Sequence, residues 1–206
     1  MTTDLERIGR LSVSRETMDR LHLLSDLILK WTKSINLIAP KSTGDIWTRH
    51  IVDSTQVYEL APKSWENWID IGSGGGLPGL VVAVLDPDRQ PITLIESDQR
   101  KCLFLNTARR ELDLNVRVLH DRIENVDIDR ADIISARALA PLPQLMGFGD
   151  KLLHSDGVAL FQKGERFQEE LDQARTDWQF DCTAHQSQTN AASRVLEITR
   201  IRRRGP

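Results

Sequence analysis

A glycine-rich turn carries the clearest chemical signal in the sequence. Residues 68–79 read WIDIGSGGGLPG, a short apolar segment with an acid followed by a cluster of glycines and a proline. The apolar run over 67–72 predicts a buried strand, and Pro78 suits the first turn of a helix. Backbone N–H groups in such a turn can approach a ligand without obstruction by Cβ atoms. We therefore expect a cradle for an adenosine-containing cofactor.

The glycine spacing separates two cofactor classes. Gly72-x-Gly74-x-Gly76 is the pattern associated with S-adenosylmethionine, while Gly74-x-Gly76-x-x-Gly79 matches the dinucleotide fingerprint. However, the first glycine of that fingerprint directly follows its strand. Here that glycine is Gly72, and the position five residues later is Leu77. The spacing favours S-adenosylmethionine over NAD, and a purely structural turn is the third alternative.

Polar residues at the ends of later predicted strands supply the rest of a site. Glu96 ends a strand roughly twenty residues after the turn, where an acid can accept the ribose hydroxyls. Ile123 and Glu124 follow the next strand, where the side chain of Ile123 can stack on adenine. Arg137 and Lys163 end two further strands and could contact a cofactor carboxylate or an RNA phosphate. The alternatives are a solvated acid for Glu96 and ion pairs with nearby acids for the two cations.

The elements that must position these residues alternate from residue 65 onward, which predicts a parallel sheet with helices on both faces. Two segments near the end, 178–186 and 194–203, have no helix between them and predict an antiparallel hairpin. The predicted fold is a class I (Rossmann-like) methyltransferase, with a mainly parallel seven-stranded sheet closed by this hairpin. We expect the strands at 67–72, 91–96, 115–119, 131–136 and 157–162, and the helices at 78–86, 98–113, 141–153 and from about 165.

The preceding residues predict a separate helical part. We expect an N-terminal helical subdomain over 1–64, with helices over 15–33 and from about 45 to 60, and a cofactor-binding domain over 65–206. His50 and Asp53 share one face of the second helix with apolar residues. Polar side chains in such a position need a partner or a ligand. They either belong to a binding site or form a satisfied buried pair.

Composition limits the class of protein. The chain has 206 residues and a formal net charge of −3, which argues against nucleic-acid binding by bulk charge. Five arginines between residues 194 and 204 form either a phosphate-contacting edge or a solvated terminal strand. Two cysteines and no secretory signal predict a reducing cytoplasm without disulfides. Scattered histidines predict no metal site, no run is long enough to span a membrane, and we expect a monomer.

Seven segments occur in an order typical of one family: NL at 36–37, RHIVDS at 49–54, DIGSGGGLPG at 70–79, Lys101 with FL at 104–105, RIE at 122–124, SARA at 135–138 and KG at 163–164. Together they resemble the glucose-inhibited division protein B family of bacterial ribosomal RNA methyltransferases. This resemblance implies methylation of guanine N7 in the decoding region of 16S ribosomal RNA, with the free RNA or the assembling small ribosomal subunit as partner. It also implies contacts to S-adenosylmethionine at Gly72, Leu77, Ile123, Glu124 and Arg137. Glu96 departs from the aspartate that many relatives carry.

The implied reaction fits what the sequence lacks. Guanine N7 carries a lone pair and no proton, so it can attack a sulfonium methyl group without a general base or a covalent nucleophile. Position and orientation then supply the catalysis, and we assign no catalytic acid or base. No Pro-Cys pair or Asn/Asp-Pro-Pro-aromatic motif follows the fourth strand.

We expect Arg137 and Lys163 to orient the cofactor or the acceptor, and His50 and Asp53 to shape the base pocket. The open alternatives are a small-molecule or protein acceptor, an NAD-dependent oxidoreductase and a non-catalytic binding module.

Overall fold

The computed structural model describes residues 5–87 and 91–205. It begins with a two-stranded antiparallel hairpin, β1 (Leu5–Ile8) and β2 (Leu11–Ser14), followed by helix α1 (Arg15–Thr32). The Ser14 hydroxyl accepts a hydrogen bond from the backbone N–H of Thr17 at 3.1 Å, so Ser14 caps this helix at its start. The hairpin was not predicted, because its strands are only four residues long.

The second predicted helix is less regular than expected. Residues Pro40–Asp45 form a 3-10 helix, Trp47–Val52 form a π-helical turn, and only Asp53–Leu60 form a regular helix, α2. The hydroxyl of Ser54 donates to the carbonyl of His50 at 2.7 Å, and that of Thr55 donates to Val52 at 2.9 Å. Such side-chain bonds compete with the regular helical ladder. The chain is therefore helical from Ile46 to Leu60, close to the predicted range, but a π-helical turn replaces the regular α-helix before Asp53.

The main sheet confirms the predicted fold class. Its strand order is β5-β4-β3-β6-β7-β9-β8; the first five strands run parallel, and β9 pairs antiparallel with both β7 and β8. The strands are β3 (Trp68–Ile71), β4 (Ile92–Glu96), β5 (Val116–His120), β6 (Ala131–Arg137), β7 (Leu153–Lys163), β8 (Trp178–Gln186) and β9 (Arg194–Arg203), and the helices are α3 (Gly79–Leu85), α4 (Gln99–Glu111), α5 (Leu142–Leu152) and α6 (Phe167–Asp177).

Apolar residues cover both faces of this sheet. On one face, Leu21 and Ile28 of α1 share a hydrophobic cluster with Leu80 of α3 and Phe104 of α4. On the other face, residues of α5 and α6 pack against the inner strands. The proposed boundary at residue 64 thus divides segments whose side chains share one core. Among the described residues, no helix is long and apolar enough to cross a membrane.

The topology fixes where a ligand can bind. The chain leaves β3 toward β4 on one side of the sheet and later returns to place β6 on the other side of β3. Ligands of open parallel sheets bind beyond the carboxyl ends of the strands at such a reversal. The glycine turn follows β3 at this point, and Arg137 and Lys163 end two of the neighbouring strands.

Candidate cofactor and acceptor site

The glycine turn requires glycine for conformational and steric reasons. Gly72, Gly74 and Gly76 have φ values of +63°, +52° and +77°, in the left-handed region that other residues rarely adopt. A Cβ atom on Gly72 would lie 2.3 Å from Cδ1 of Leu139. The same atom on Gly76 would lie 2.2 Å from Cδ1 of Leu80 in α3. The turn therefore packs tightly between the loop after β6 and the helix that follows the turn.

Glu96 is held in place by backbone donors. Its Oε2 accepts a hydrogen bond from the N–H of Gly74 at 2.8 Å, and its Oε1 accepts one from the N–H of Asp98 at 2.8 Å. The residue is buried, with 7% of its surface exposed, and it lines a cavity next to the turn. Each carboxylate oxygen keeps a further acceptor position, which suits a pair of ribose hydroxyls.

This cavity, called the smaller cavity below, measures about 370 Å³ and has both polar and apolar walls. Ile123 is buried among apolar side chains, and the ammonium group of Lys151 donates to the carbonyls of Ile123 at 3.3 Å and Glu124 at 2.6 Å. These two bonds fix the segment after β5. A cavity that combines an apolar contact at Ile123 with the carboxylate of Glu96 fits an adenosine group. The residues that line the smaller cavity are Gly72, Ile95, Glu96, Ser97, Lys101, Asp121, Arg122, Ile123, Glu124, Ala138, Leu139, Ala140, Gln144 and Phe148.

A buried carboxyl group lies within the sheet just before the turn. Asp70 is fully buried, and its Oδ1 accepts a hydrogen bond from Ser135 Oγ at 2.6 Å. Ser135 Oγ in turn accepts the indole N–H of Trp68 at 2.9 Å. Oδ2 of Asp70 has no hydrogen-bond partner among the described residues. Burial raises the pKa of Asp70 to about 6, against the opposing effect of the Ser135 hydrogen bond.

A larger cleft of about 820 Å³ lies beside the smaller cavity. Ala138 lines both, so the two spaces adjoin at this residue. Ala138 has a φ of +50°, which is uncommon for a residue with a side chain. Its backbone turns the chain away from β6 at the point where the two spaces meet. The larger cleft is lined by Arg137 and Lys163, which we expected to orient the cofactor or the acceptor, and by His50 and Asp53, which we expected to shape the base pocket.

Arg137 contacts three residues of the N-terminal segment. Its Nη2 donates to Nδ1 of His50 at 2.7 Å, its Nη1 donates to the carbonyl of Arg49 at 3.2 Å, and Nη1 lies 3.7 Å from Oδ2 of Asp53. Only 16% of its side chain is exposed. Burial lowers the pKa of the guanidinium, and the charges of Asp53 and Asp70 oppose that shift. An arginine stays protonated in proteins, so a fixed cation faces the larger cleft.

His50 is neutral and its tautomer is defined. Because a guanidinium can only donate, Nδ1 of His50 accepts from Arg137 and the ring proton lies on Nε2. Nε2 donates to Ser42 Oγ at 2.8 Å, and Ser42 Oγ donates to the carbonyl of Ala39 at 2.7 Å. Burial, followed by the charges of Arg137 and Arg49, lowers the pKa of His50 to about 4. Both ring nitrogens are therefore engaged by the protein.

Asp53 joins this cluster to a distant loop. Its Oδ2 accepts from Gln162 Nε2 at 2.6 Å, and its Oδ1 accepts from the hydroxyls of Thr189 at 2.7 Å and Ser187 at 3.2 Å. A further bond to Oδ1 comes from Gln56 at 3.0 Å. The loop between β8 and β9, residues 187–193, is thereby held against α2. Asp53 therefore positions Gln162 and the loop over 187–193.

Lys163 forms an ion pair, as its alternative interpretation predicted. Its Nζ lies 2.6 Å from Oε2 of Glu170 and donates to the carbonyl of Ala140 at 2.9 Å. Its side chain is 9% exposed. Glu170 also accepts the backbone N–H of Leu142 at 2.7 Å. Lys163 therefore fixes the loop after β6 while its charge is partly neutralised.

The predicted cofactor-binding residues differ in which of the two spaces they line. Gly72, Glu96, Ile123 and Glu124 line the smaller cavity, and Arg137 lines only the larger cleft. Three residues with predicted cofactor contacts, Gly74, Gly76 and Leu77, line neither space, and the side chain of Leu77 packs in the core. Their contact with a cofactor stays a prediction.

Other residues of the site were missed by the sequence analysis. Leu139 covers Gly72 and Ser42 orients His50, while Gln162, Ser187 and Thr189 hold Asp53. The position of Leu139, just after the end of a strand, is a signal that could have indicated it. Ser187 lies 134 residues from Asp53, and no local pattern links them.

Fold and site together define the class of protein. A mainly parallel seven-stranded sheet with an antiparallel edge hairpin is the fold of class I methyltransferases. The glycine turn, the buried Glu96 and the cavity beside Ile123 fit the adenosine part of S-adenosylmethionine. Clusters of His, Cys, Asp and Glu side chains suited to a metal ion are not found within residues 5–87 and 91–205.

Solved structures share this fold at low sequence identity. The ribosomal protein L11 methylase of Lactobacillus delbrueckii subsp. bulgaricus aligns with a TM-score of 0.60 and 18% identity, covering 74% of this chain and 78% of that chain. TYW2 of M. jannaschii, solved in complex with AdoMet, aligns with a TM-score of 0.56 and 14% identity, covering 75% of this chain and 76% of that chain. These similarities confirm the predicted class I methyltransferase fold.

Sequence comparison identifies the family. Residues 17–199 match the family described as rRNA small subunit methyltransferase G. The ribosomal RNA small subunit methyltransferase G of Ruegeria sp. is 46% identical over 196 residues, covering 94% of this chain and 95% of the relative. The ribosomal RNA small subunit methyltransferase G of Paracoccus denitrificans is 48% identical over 193 residues, covering 93% of this chain and 99% of the relative. The chain belongs to the rRNA small subunit methyltransferase G family, and the predicted resemblance is confirmed.

Proposed function

We propose that this protein transfers a methyl group from S-adenosylmethionine to N7 of a guanine in the decoding region of 16S ribosomal RNA. The observation that carries the proposal is the junction at Ala138 between an adenosine-sized cavity and a larger cleft with a fixed cation. Family membership supports the choice of ribosomal RNA as the substrate. The ribosomal partner and the two free thiols, Cys102 and Cys182, are consistent with work in the cytoplasm.

The smaller cavity would hold the adenosine part of the cofactor. Glu96 would accept the ribose hydroxyls, Ile123 would lie against the adenine ring, and Glu124 would bond its edge. Arg137 lines the larger cleft, on the other side of the junction at Ala138, and would face the carboxylate of the methionine part. The cofactor supplies an electrophilic methyl group on a sulfonium ion.

The larger cleft would receive the guanine. Both N7 and O6 of guanine are acceptors, so the donors Arg137 and Lys163 suit this edge of the base. His50 and Asp53 are fully engaged by protein partners, so neither is free to remove a proton. An acceptor that loses no proton before it attacks fits this arrangement. Catalysis then consists of holding N7 in line with the methyl group.

The direct test is methyl transfer from labelled S-adenosylmethionine to small ribosomal subunits, and to naked 16S ribosomal RNA, that lack the modification. We expect label on guanine N7 when the product is mapped to the base. Arg137→Ala should reduce the transfer, with Arg137→Lys as the charge-matched control. Label on another base, or no label from a preparation that binds the cofactor by calorimetry, would overturn the proposal.

A further inference from the structure

Three further cations line the larger cleft and take no part in the ion pairs described above. We propose that Lys41, Arg49 and Arg194 form a docking surface for the RNA backbone, where each contacts phosphate oxygens. We call these three residues the cationic rim. The proposal rests on the proposed function, because it concerns how the same cleft receives its RNA.

The cationic rim differs from the inner cations of the cleft. Arg137 and Lys163 are each paired with an acid, Asp53 and Glu170. In the described part of the chain, no carboxylate forms an ion pair with Lys41, Arg49 or Arg194. Asp45 is the one further acid among the residues that line the cleft. The opening is therefore locally positive, although the chain has a net charge of −3.

Arg194 is held in position before any ligand arrives. Its guanidinium carbon lies 5.0 Å from the centre of the Phe167 ring. Its Nη1 donates to the carbonyls of Ala191 at 2.7 Å and Ser193 at 2.8 Å. These contacts leave Nη2 and Nε available as donors. A planar cation with two free donors suits bidentate contact with a phosphate.

The surroundings of Arg194 are also fixed relative to Arg137. Asp53 binds the hydroxyls of Ser187 and Thr189, and the side chain of Gln56 accepts the backbone N–H of Gln188 at 2.7 Å. The loop over residues 187–193 therefore forms a rigid wall of the cleft. RNA bound at the cationic rim would be held at a defined distance from the cation that faces the base.

The structure also divides the arginine-rich tail into two parts. Arg194 pairs with Lys163 at the carboxyl end of β7, whereas Thr199 pairs with Val158 nearer the start of that strand. Residues 200–203 therefore lie toward the opposite end of the sheet. Arg200 forms an ion pair with Asp181 there. Only the first arginine of the tail reaches the cleft, so Arg202 is a matched control.

The test uses the full chain and fluorescently labelled, unmodified 16S ribosomal RNA, with affinity measured at several salt concentrations. Lys41→Ala, Arg49→Ala and Arg194→Ala should each weaken binding severalfold. Each should also reduce the slope of log affinity against log salt concentration by about 0.7 to 0.9, the value for one lost phosphate contact. Arg202→Ala should change neither quantity.

Kinetics separate docking from chemistry. The three rim variants should raise KM for RNA, leave kcat at saturating RNA within twofold of wild type and bind S-adenosylmethionine with unchanged affinity. Arg194→Lys, which keeps the charge but loses the planar fork, should retain the salt slope. This variant distinguishes loss of charge from any local loss of structure.

Two outcomes would overturn the docking surface: rim variants with wild-type KM and salt slope, or an equal effect of Arg202→Ala and Arg194→Ala. The affinity and salt-slope measurements do not require methylation, so they test the docking surface independently of catalysis. Absence of methylation by the wild type would instead contradict the proposed function, so the two failures are distinguishable.

Discussion

The guanidinium of Arg137 donates a hydrogen bond to Nδ1 of His50 across 2.7 Å, so a buried cation is bonded to a neutral imidazole. This pairing joins the end of β6 to the π-helical turn Trp47–Val52. The imidazole keeps its acceptor nitrogen directed at Arg137 because its other nitrogen donates to Ser42. His50 therefore acts as an orienting group for the cation rather than as a base.

We expect His50→Ala to lower methyl transfer by about tenfold or more and stability by about 1–3 kcal/mol, because Arg137 loses a buried acceptor. His50→Gln should retain most of both, since an amide can accept from Arg137 and donate to Ser42. The measurements are kcat/KM at fixed RNA and unfolding in urea. Equal activity of the alanine and glutamine variants would contradict the orienting role.

A buried group, Asp70, and a half-buried group, His50, should give opposing pH dependences of stability. The pKa of Asp70 is raised from 3.8 to about 6, so between these values the folded state holds a proton that the unfolded state has lost. Its contribution to stability therefore falls as pH rises through this range. The pKa of His50 is lowered from 6.5 to about 4, so its contribution falls as pH decreases from 6.5 toward 4.

Variants should separate the two dependences. When the pH is lowered from neutral to about 4.5, the free energy of unfolding of Asp70→Asn should fall further than that of wild type, by up to about 2–3 kcal/mol for a shift of this size. The free energy of unfolding of His50→Gln should fall less than that of wild type. Urea midpoints at the two pH values provide the measurement, and all other titrating groups cancel in the comparison. Parallel profiles for the three proteins would rule out this pair of shifts.

Glu96 links the glycine turn to the proposed ribose site, so its removal should affect cofactor affinity. Glu96→Ala should weaken binding of S-adenosylmethionine by about 10- to 100-fold, corresponding to about 1.5–3 kcal/mol for hydrogen bonds to a charged group. Glu96→Asp, with a shorter reach, should fall between this variant and wild type. Isothermal titration calorimetry measures the affinity. An alanine variant with wild-type affinity would remove Glu96 from the cofactor site.

The contact between Gly72 and Leu139 predicts a partial rescue. Gly72→Ala should be destabilising, because its φ of +63° costs about 1–2 kcal/mol with a Cβ and because that Cβ meets Leu139 at 2.3 Å. Adding Leu139→Ala should recover the stability that is lost to the clash with Leu139, but not the stability that is lost to the backbone conformation. A double-mutant cycle in urea measures the coupling. Simple additivity of the two substitutions would show that the contact carries no energy.

The sequence predicted the sheet well because its signals are local. Apolar runs with glycine punctuation located the parallel strands, and the lack of a helix between residues 186 and 194 indicated the edge hairpin. Glu96, Ile123 and Arg137 could be placed near the site because the carboxyl ends of parallel strands share one edge. These inferences need only periodicity and topology.

The remaining features depend on contacts that periodicity does not encode. The π-helical turn before Asp53 arises where hydroxyl side chains compete for backbone carbonyls. The partners of Asp53 in the loop over 187–193 lie more than a hundred residues away along the chain. The ion pair of Lys163 with Glu170 required knowing how α6 packs beside β7.

The loop over 187–193 has a consequence for the order in which the two spaces form during synthesis. The residues that line the smaller cavity end at Phe148, whereas the wall of the larger cleft needs Ser187, Thr189 and Arg194. During synthesis, every residue that lines the smaller cavity is therefore added to the chain before the residues that close the larger cleft.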